Sequence, residues 1–451
     1  MNKIYLIGIG GIGMSAIARY YKHAGYAVAG YDKTESPLTK ELEEEGIMVH
    51  YNDDISYIPK DVENTLIIYT PAIPANLGEL VYVKENGYTL IKRSKALGEI
   101  AKGHKTLAVA GTHGKTTTST LLSHIYTASN QGCTAFLGGI SKNYNTNLLL
   151  SRNNALVAEA DEFDRSFLQL YPDIAIITST DADHLDIYGD LDSIRDAFAE
   201  FAMQVKESGA LIIKKGISIN LENVKAKQYS YSFNEGGDFY ADNIELLEGG
   251  YFKFNLIYPG GVIDNCTVGV PGWINVENGI AAAAAAIIGG IEPLKVKDAL
   301  ATFAGVKRRF DIHINSPKIA YIDDYAHHPK EISSAISSMR NIFPNRKLCG
   351  IFQPHLYTRT RDFASEFAES LSKLDQLILL DIYPARELPI EGVTSNIIFD
   401  KVTLENKVLL KKENLLEYLK GCDLDIVVTF GAGDIDRLIN PISELLLERI
   451  K

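Results

Sequence analysis

Cysteine, tryptophan and long apolar runs are scarce in this 451-residue sequence. The four cysteines, Cys133, Cys266, Cys349 and Cys422, form neither a C-x-x-C pair nor a metal-ligand spacing. We therefore predict free thiols in a reducing, cytoplasmic compartment. No run of about 18 apolar residues occurs, which predicts that no segment spans a membrane. Glycines interrupt the apolar N-terminus, a pattern more typical of a strand, turn and helix than of a signal peptide.

Basic residues are outnumbered by acidic ones, with 45 Lys and Arg against 57 Asp and Glu, and the formal net charge is −12. Nucleic-acid-binding proteins usually carry a basic footprint, so we expect no nucleic-acid partner. An acidic protein can still bind anions where it gathers cations locally. The length predicts about three domains rather than one core.

A glycine loop with a lysine follows a short apolar run at Leu107–Ala110, and helical spacing continues from Ser119. A strand, a glycine loop and a helix N-terminus together form an anion site. Lys115 adds a cation to this site, and Thr116 offers a hydroxyl to a phosphate-bound Mg²⁺. Val109 stands where the usual P-loop spacing requires glycine, so the loop is a shorter G-x-x-G-K-T-T version.

The N-terminus carries a second glycine-rich turn. Strand Lys3–Ile7 precedes Gly8–Ser15, and strand Ala27–Tyr31 ends at Asp32, which could hold a ribose hydroxyl. This pattern indicates a diphosphate next to a ribose, and NAD, FAD or a UDP-sugar would each satisfy it. Further on, Arg93, Ser94 and Lys95 begin a helix, either as ligand contacts or as a solvated helix start.

Two acidic clusters follow apolar strands in the middle of the chain. Ala155–Ala158 leads to Glu159, and Ile174–Ser179 leads to His184 and its neighbouring aspartates. Parallel strands present their ends at one sheet edge, so both clusters and the phosphate loop should converge there. Mg²⁺ favours such oxygen ligands. The alternatives are a carboxylate that caps a helix and a histidine with a structural role.

The second half of the chain contains β-hairpin patterns over residues 209–270 and then two further features. Asn275 and Asn278 share one helical face, where they could contact a base or cap the helix. Arg309 belongs to a cationic segment that is either a phosphate clamp or a solvated linker. Each later strand ends in polar residues, which predicts that this edge faces a ligand.

Eight motifs that follow one another along almost the whole chain resemble those of the Mur ligase family: GIGGIGMS, GTHGKTT, EADEFD, DADH, GVKRRFD, DDYAHHP, QPHLYTRTRD and GAGDI. The resemblance implies an α/β fold with three domains. Residues 1–101 would form a Rossmann-like domain for a UDP-sugar, and residues 102–305 a P-loop-type ATPase with β-hairpin additions. Residues 306–451 would form a second Rossmann-like domain that closes over ATP and the amino acid.

The resemblance also implies an activity. It is the ATP-dependent joining of L-alanine to the lactyl carboxylate of UDP-N-acetylmuramate through an acyl phosphate, in peptidoglycan precursor synthesis. The partners would be these small molecules with Mg²⁺, and the chain would be a monomer or a weak homodimer. Three alternatives are an NAD-dependent dehydrogenase, a non-catalytic nucleotide switch, and a sister ligase that recycles intact peptide onto the same sugar.

The site residues implied by the resemblance fall into four groups. Catalytic roles fall on Lys115, His184, Arg309, His327 and His328. ATP binding falls on Gly111, Thr112, His113, Gly114, Lys115, Thr116, Thr117, Asn275, Arg309 and Asp324. Substrate binding falls on Gly8, Gly10, Gly11, Gly13, Met14, Ser15, Asp32, Ile73, Tyr357 and Arg359. The metal ligands would be Thr116, Glu159 and His184.

Some positions depart from the family pattern. Ile274 stands where many relatives have a histidine against the adenine, so Trp273 is a candidate replacement. Phe163 and Pro71 each stand where serine is common. Arg195 lies near the place where other members carry a carbamoylated lysine, so we predict no such lysine here.

Overall fold

The computed structural model describes residues 1–181, 188–385 and 387–450. The chain divides into two compact units. The first contains Met1–Glu245, Phe252–Val270 and Ile274–Ala304. The second contains Leu246–Tyr251, Pro271–Trp273 and the chain from Gly305 onward. Among the described residues, no helix combines the length and the apolar character needed to cross a membrane.

The first sheet has five parallel strands in the order β3-β2-β1-β4-β5. Its strands are β1 (Lys3–Ile7), β2 (Ala27–Tyr31), β3 (Met48–His50), β4 (Thr65–Tyr69) and β5 (Thr89–Lys92). Its helices are Ile12–His23, Pro37–Glu44, Gly78–Glu85 and Arg93–Ala101, with a 3₁₀ turn at Ile55–Tyr57. The near-continuous apolar sequence of β1 suits a strand that is covered on both faces.

The second sheet has seven strands in the order β12-β11-β10-β6-β9-β7-β8, with only the β7–β8 pair antiparallel among its described ladders. Its strands are β6 (Lys105–Ala110), β7 (Thr134–Ser141), β8 (Thr146–Leu149), β9 (Ala155–Ala160), β10 (Ile174–Ile177), β11 (Ala210–Lys214) and β12 (Lys227–Tyr231). Its helices are Lys115–Ala128 and Leu191–Met203, with a 3₁₀ segment at Phe163–Gln169. Strands β10, β6 and β9 are parallel neighbours, which confirms that the phosphate loop, the first acidic cluster and Asp181 follow strands at one edge. The rest of the second cluster lies outside the described residues.

A small antiparallel hairpin completes the sheets of the first unit. Strands β14 and β15 pair around Tyr258 and Gly261, which confirms the predicted hairpin in this part of residues 209–270. In the earlier part the prediction is wrong, because β11 and β12 pair in parallel within the second sheet. The strands are β13 (Tyr240–Leu246), β14 (Phe252–Tyr258) and β15 (Gly261–Thr267). The following helices are Trp273–Gly289 and Pro293–Thr302, and a 3₁₀ turn lies at Glu248–Gly250.

The sheet of the second unit has six strands in the order β16-β17-β21-β18-β19-β20, and β16 is antiparallel to its neighbour while the other described pairs are parallel. Its strands are β16 (Asp311–Asn315), β17 (Ala320–Asp324), β18 (Leu348–Phe352), β19 (Gln376–Leu380), β20 (Lys407–Leu410) and β21 (Ile426–Phe430). Its helices are Pro329–Ile342, Tyr357–Asp362, Ala364–Leu371, Asn396–Phe399, Leu415–Lys420 and Ile439–Ile450, with 3₁₀ turns at Lys412–Asn414 and Asp434–Leu438.

An aromatic cluster anchors the segment that follows the first acidic cluster. Phe167 is buried and stacks on Phe201, with ring centroids 5.0 Å apart, and it meets Phe198 edge to face at 5.2 Å. Leu97 belongs to the same core. The helix Arg93–Ala101 and the segment Phe163–Gln169 are therefore packed together, which fixes the acidic cluster next to the first residues of that helix.

Candidate active site

The phosphate loop connects β6 to the helix Lys115–Ala128, which begins at Lys115 itself. Gly111 and Gly114 have φ angles of 139° and 82°, a region that side chains rarely adopt. A Cβ atom on Gly111 would collide with Thr178 Oγ1 and the Ser179 backbone nitrogen. Glycine is therefore required here by both conformation and space.

The end of β10 holds the loop in place through side-chain hydroxyls. The His113 N–H donates to Ser179 Oγ at 2.7 Å, and the Asp181 N–H donates to Thr112 Oγ1 at 3.1 Å. Thr112 Oγ1 and Ser179 Oγ lie 3.0 Å apart. Hydrogen bonds within the chain thus fix the conformation of the loop.

Lys115 lies at the base of this loop. Its ammonium donates to the Gly111 carbonyl at 2.6 Å and to both carboxylate oxygens of Glu162, at 2.9 and 2.7 Å. Burial alone would lower the pKa of Lys115, but the carboxylates of Glu162, Asp161 and Glu159 outweigh burial and raise its pKa above the usual value. The lysine is therefore charged, and a phosphate must compete with Glu162 for it.

Glu159 lies on β9 opposite Val109, beside the phosphate loop. Its Oε2 atom is buried and has no hydrogen-bond partner among the described residues. Gly138 leaves room for this carboxylate, because a Cβ atom there would overlap it. An unpartnered carboxylate oxygen fits a hard cation such as Mg²⁺. His184 lies outside the described residues, which contain no group of three or more His, Cys, Asp or Glu arranged for a metal.

Two asparagines on the helix Trp273–Gly289 lie one turn apart. Asn278 is buried, and its Oδ1 accepts a hydrogen bond from Thr118 Oγ1 at 3.2 Å. The same oxygen lies close to Gly114, where a Cβ atom would be only 2.9 Å away. Asn278 therefore supports the phosphate loop, and Asn275 lies one turn nearer the helix N-terminus. Thr117 is half-buried in the first turn after the loop.

The N-terminal glycine loop is joined to Asp32. The Gly10 N–H donates to Asp32 Oδ2 at 2.8 Å, and a Cβ atom on Gly10 would lie 2.9 Å from the same oxygen. Burial raises the pKa of Asp32, although hydrogen bonds from Thr34 and Gly10 oppose this. Gly8 has a φ angle of 88° and lies beside Ile73, whose Cγ2 would be 3.4 Å from a Cβ there. These four predicted residues are brought together.

Met14 and Ser15 lie below this loop and are both buried. The Ser15 hydroxyl donates to the Ile12 carbonyl at 2.9 Å and accepts from Asn147 Nδ2 at 2.9 Å. Asn147 also donates to the Ile12 carbonyl at 2.7 Å. The side chains of Met14 and Ser15 therefore serve packing, and at this end of the helix a ligand would meet the backbone of Gly11 and its neighbours.

Arg93 connects this region to the first acidic cluster. Its Nη2 donates to Asp161 Oδ2 at 3.0 Å. Its Nη1 would be 3.0 Å from a Cβ atom on Gly13, so the guanidinium lies against the glycine loop. The alternative of a solvated helix start is wrong for Arg93, whose side chain is only 19% exposed, and holds for the exposed Lys95.

In the second unit, Arg309 and Asp324 lie together at the end of β17. Asp324 accepts hydrogen bonds from the N–H groups of Phe310 and Ala326, each at 2.7 Å. Burial raises the pKa of Asp324 to about 6, although Arg309 and these hydrogen bonds oppose the shift. The Arg309 guanidinium lies 4.8 Å from the ring centroid of Tyr325, within cation–π distance. Asp324 thus organises the segment that presents Arg309.

The two adjacent histidines have different surroundings. Burial lowers the pKa of His327 to about 4, so its imidazole is neutral at neutral pH, and its Nδ1 lies 3.0 Å from the Tyr325 carbonyl. His328 is buried and caps the helix Pro329–Ile342, where Nδ1 accepts from the Lys330 N–H at 3.4 Å. Glu331 closes the capping box by accepting from the N–H of both histidines.

Tyr357 and Arg359 are half-buried on the short helix that follows β18. Gln353, at the start of the same connection, accepts from the Ile435 N–H at 2.9 Å and donates to Asp434 at 2.8 Å. The connections after β18 and β21 are therefore joined, and this sheet edge carries the polar residues that the sequence predicted.

The described elements define a class: an α/β protein with a strand–glycine loop–lysine helix for nucleotide phosphates and a second glycine loop on a parallel sheet. Known protein families that match the sequence agree with this class and identify a particular family within it. Three family descriptions match: "Mur ligase family, catalytic domain" over residues 3–105, "Mur ligase middle domain" over 109–286, and "Mur ligase, glutamate ligase domain" over 308–433. The chain belongs to the Mur ligase family, whose members are ATP-dependent.

Several relatives are similar along their whole length. The UDP-N-acetylmuramate–L-alanine ligase of Parabacteroides distasonis is 50% identical to this chain, and the alignment covers 100% of this chain and 98% of the relative. The enzyme of that name from Porphyromonas gingivalis strain W83 is also 50% identical, covering 99% of both. Among solved structures, UDP-N-acetylmuramate-alanine ligase of Thermotoga maritima has a TM-score of 0.82 and 26% identity, covering 99% of both chains.

Proposed function

We propose that this chain is an ATP-dependent ligase that joins L-alanine to the lactyl carboxylate of UDP-N-acetylmuramate. The observation that carries the proposal is full-length similarity, at 50% identity, to relatives that bear this name. The charged, half-buried Lys115 in the phosphate loop supports it independently. Such ligation belongs to peptidoglycan precursor synthesis.

The first half-reaction transfers the γ-phosphoryl group of ATP to the lactyl carboxylate and gives an acyl phosphate and ADP. Residues Gly111–Thr117 would hold the phosphates, and Lys115 would leave Glu162 and stabilise charge on the transferring oxygens. Thr116 and Glu159 would hold one Mg²⁺, and His184 would contact a second, so that phosphate charge would be neutralised. Asn275 would contact the adenine.

The UDP-sugar would bind to a different segment of the chain from ATP. Gly8, Gly10, Gly11 and Gly13 would hold the diphosphate of the UDP-sugar through their backbone, with Asp32 on a ribose and Ile73 beside it. We place the three domains at residues 1–101, 102–305 and 306–451. Binding of ATP and a nucleotide sugar suggests a cytoplasmic protein, which we expect to be a monomer or a weak homodimer.

In the second half-reaction the amine of L-alanine attacks the acyl phosphate and phosphate leaves. Arg309 and Arg359 would stabilise the anionic groups, with Asp324 and Tyr357 beside them. His327 is the better candidate for the proton acceptor, because its neutral imidazole has a free electron pair at neutral pH. His328 is used as a helix cap, so we assign it the weaker role of orienting His327.

The test is ADP release by the purified chain with ATP, Mg²⁺ and UDP-N-acetylmuramate, while only the amino component is varied. We expect release to require L-alanine and the product to gain the mass of one alanyl residue. Release that depends on the tripeptide L-alanyl-γ-D-glutamyl-meso-diaminopimelate instead would identify the recycling ligase. Release without any amine would favour a nucleotide switch, and binding of NADH with no ATP binding would favour a dehydrogenase.

A further inference from the structure

One arginine contacts two sites that the proposed function treats separately. The Arg93 guanidinium donates to Asp161 at 3.0 Å through Nη2, while Nη1 and Cδ lie against Gly13 of the glycine loop. Within residues 1–181, 188–385 and 387–450, Asp161 is its only hydrogen-bond acceptor. An arginine fork can bind two anionic groups at once, so Arg93 has donors left for an anion on the glycine loop.

The acceptor of Arg93 belongs to the phosphate-binding machinery. Asp161 is followed directly by Glu162, which holds the Lys115 ammonium at 2.7 Å. Asp161 Oδ1 also accepts from the Phe163 N–H at 3.1 Å, so its carboxylate fixes the turn that carries Glu162. Arg93 and Asp161 also line a small open cleft together with Glu159. The contact therefore leads from one proposed substrate site to the other.

We propose that Arg93 is a positioning residue that couples the two sites, so that a sugar nucleotide on the glycine loop strengthens nucleotide binding at the phosphate loop. A diphosphate that engages Arg93 fixes the guanidinium, and through Asp161 it fixes the turn at Glu162. A second ligand then loses less conformational freedom when it binds, which is positive coupling. Linkage requires the same factor in both directions. This inference rests on the proposed function.

A neighbouring ion pair provides a matched control. Lys92 pairs with Asp164 at 2.7 Å and so joins the same two segments one residue earlier. Its side chain is 46% exposed, against 19% for Arg93, and its described contacts do not include the glycine loop. If the ion pairs only held the two segments together, removing Lys92 would have the same effect on binding as removing Arg93. If Arg93 couples the two sites, only its removal would lower the coupling.

The experiment measures the dissociation constant of a non-hydrolysable ATP analogue with Mg²⁺ by calorimetry, with and without saturating UDP-N-acetylmuramate. We expect the sugar nucleotide to tighten analogue binding in the unchanged chain by about 5-fold or more. Arg93→Met and Asp161→Asn should each reduce this factor to below about 2-fold, whereas Lys92→Met should keep it. The Asp161→Asn variant keeps the side-chain shape, so the test survives if Arg93→Met fails to fold.

Each outcome decides the question. The coupling is overturned if Arg93→Met and Asp161→Asn both retain the original factor, or if Lys92→Met lowers it as much as Arg93→Met does. If the unchanged chain binds both ligands with a factor near one, the coupling fails while the proposed function stands. If it binds neither the sugar nucleotide nor the ATP analogue, the proposed function fails and the coupling fails with it.

Discussion

Replacing Glu79 by glutamine should remove a pH dependence from the stability of the first sheet. Glu79 is fully buried, and its carboxyl lies 2.6 Å from the Tyr5 hydroxyl. That hydroxyl has one proton but two neighbouring acceptors, because His50 Nε2 is also 2.6 Å away. Burial raises the pKa of Glu79 from 4.5 to about 7, although hydrogen bonds from Tyr5 and Asp54 oppose the shift. When Glu79 is protonated, its own O–H donates to the Tyr5 hydroxyl. The tyrosine proton can then be donated to His50 Nε2.

The direction and the size of this pH dependence follow from the difference in the pKa of Glu79 between the folded and the unfolded chain. The folded chain holds a proton on Glu79 that the unfolded chain has released, so this contribution to stability is complete below about pH 4.5 and lost as pH rises through 7. A shift from 4.5 to about 7 corresponds to about 3 kcal/mol. The glutamine amide in E79Q would resemble the protonated carboxyl at every pH. We therefore expect E79Q to gain about 3 kcal/mol relative to the unchanged chain between pH 4.5 and pH 8.

Amide hydrogen exchange of β1, followed by mass spectrometry, measures this difference locally. Comparing the two chains at the same pH cancels the intrinsic pH dependence of exchange, and the expected change in relative protection is about 100-fold. The exposed Glu99, which pairs with Lys102, provides the control E99Q, with a constant ratio expected. A ratio for E79Q that is equally constant from acidic to alkaline pH would refute the raised pKa of Glu79.

Three further changes test the proposed site. Lys115→Ala should lower phosphate release by about 10²–10³-fold or more, because the transferred group loses the cation that stabilises its charge. Turnover near that of the control Lys105→Ala, which changes an exposed lysine on β6, would contradict this. Glu159→Gln should raise the Mg²⁺ concentration for half-maximal activity by about tenfold or more, and an unchanged titration would remove its ligand role. Gly10→Val should weaken binding of UDP-N-acetylmuramate in calorimetry, because its Cβ would lie 2.9 Å from Asp32 Oδ2; unchanged affinity would argue against that site.

The sequence predicted the sheets well because their strands are short apolar runs bounded by glycine or polar turns. Strands Lys3–Ile7, Ala27–Tyr31, Thr65–Tyr69 and Leu348–Phe352 have the bounds expected from the sequence. The helix after the phosphate loop begins at Lys115, four residues before the apolar periodicity at Ser119. Its first turn is polar because it faces the loop, and periodicity cannot detect such a turn.

The partners of the site residues were harder to predict because they depend on tertiary contacts. Glu162 is the ion-pair partner of Lys115, and only its position in the acidic cluster could have suggested this. Ser179 holds the phosphate loop from a strand that is distant in sequence. Asn147 donates a hydrogen bond to the Ser15 hydroxyl, although the two residues are distant in sequence. An isolated asparagine belongs to no sequence pattern from which this contact could be predicted.

Three donors that we propose for anionic substrates are each bonded to a carboxylate of the chain. Lys115 bonds to Glu162, Arg93 to Asp161, and the Gly10 N–H to Asp32. This arrangement reconciles a net charge of −12 with the binding of phosphates, because each carboxylate orients a donor and keeps its charge satisfied. At Lys115 an arriving phosphate would take the place of Glu162, whereas Arg93 would keep Asp161 and bind the phosphate through its remaining donors. Selectivity then depends on how well the phosphate geometry matches donors that are already aligned, which is why the carboxylates belong to the binding sites as much as the cations do.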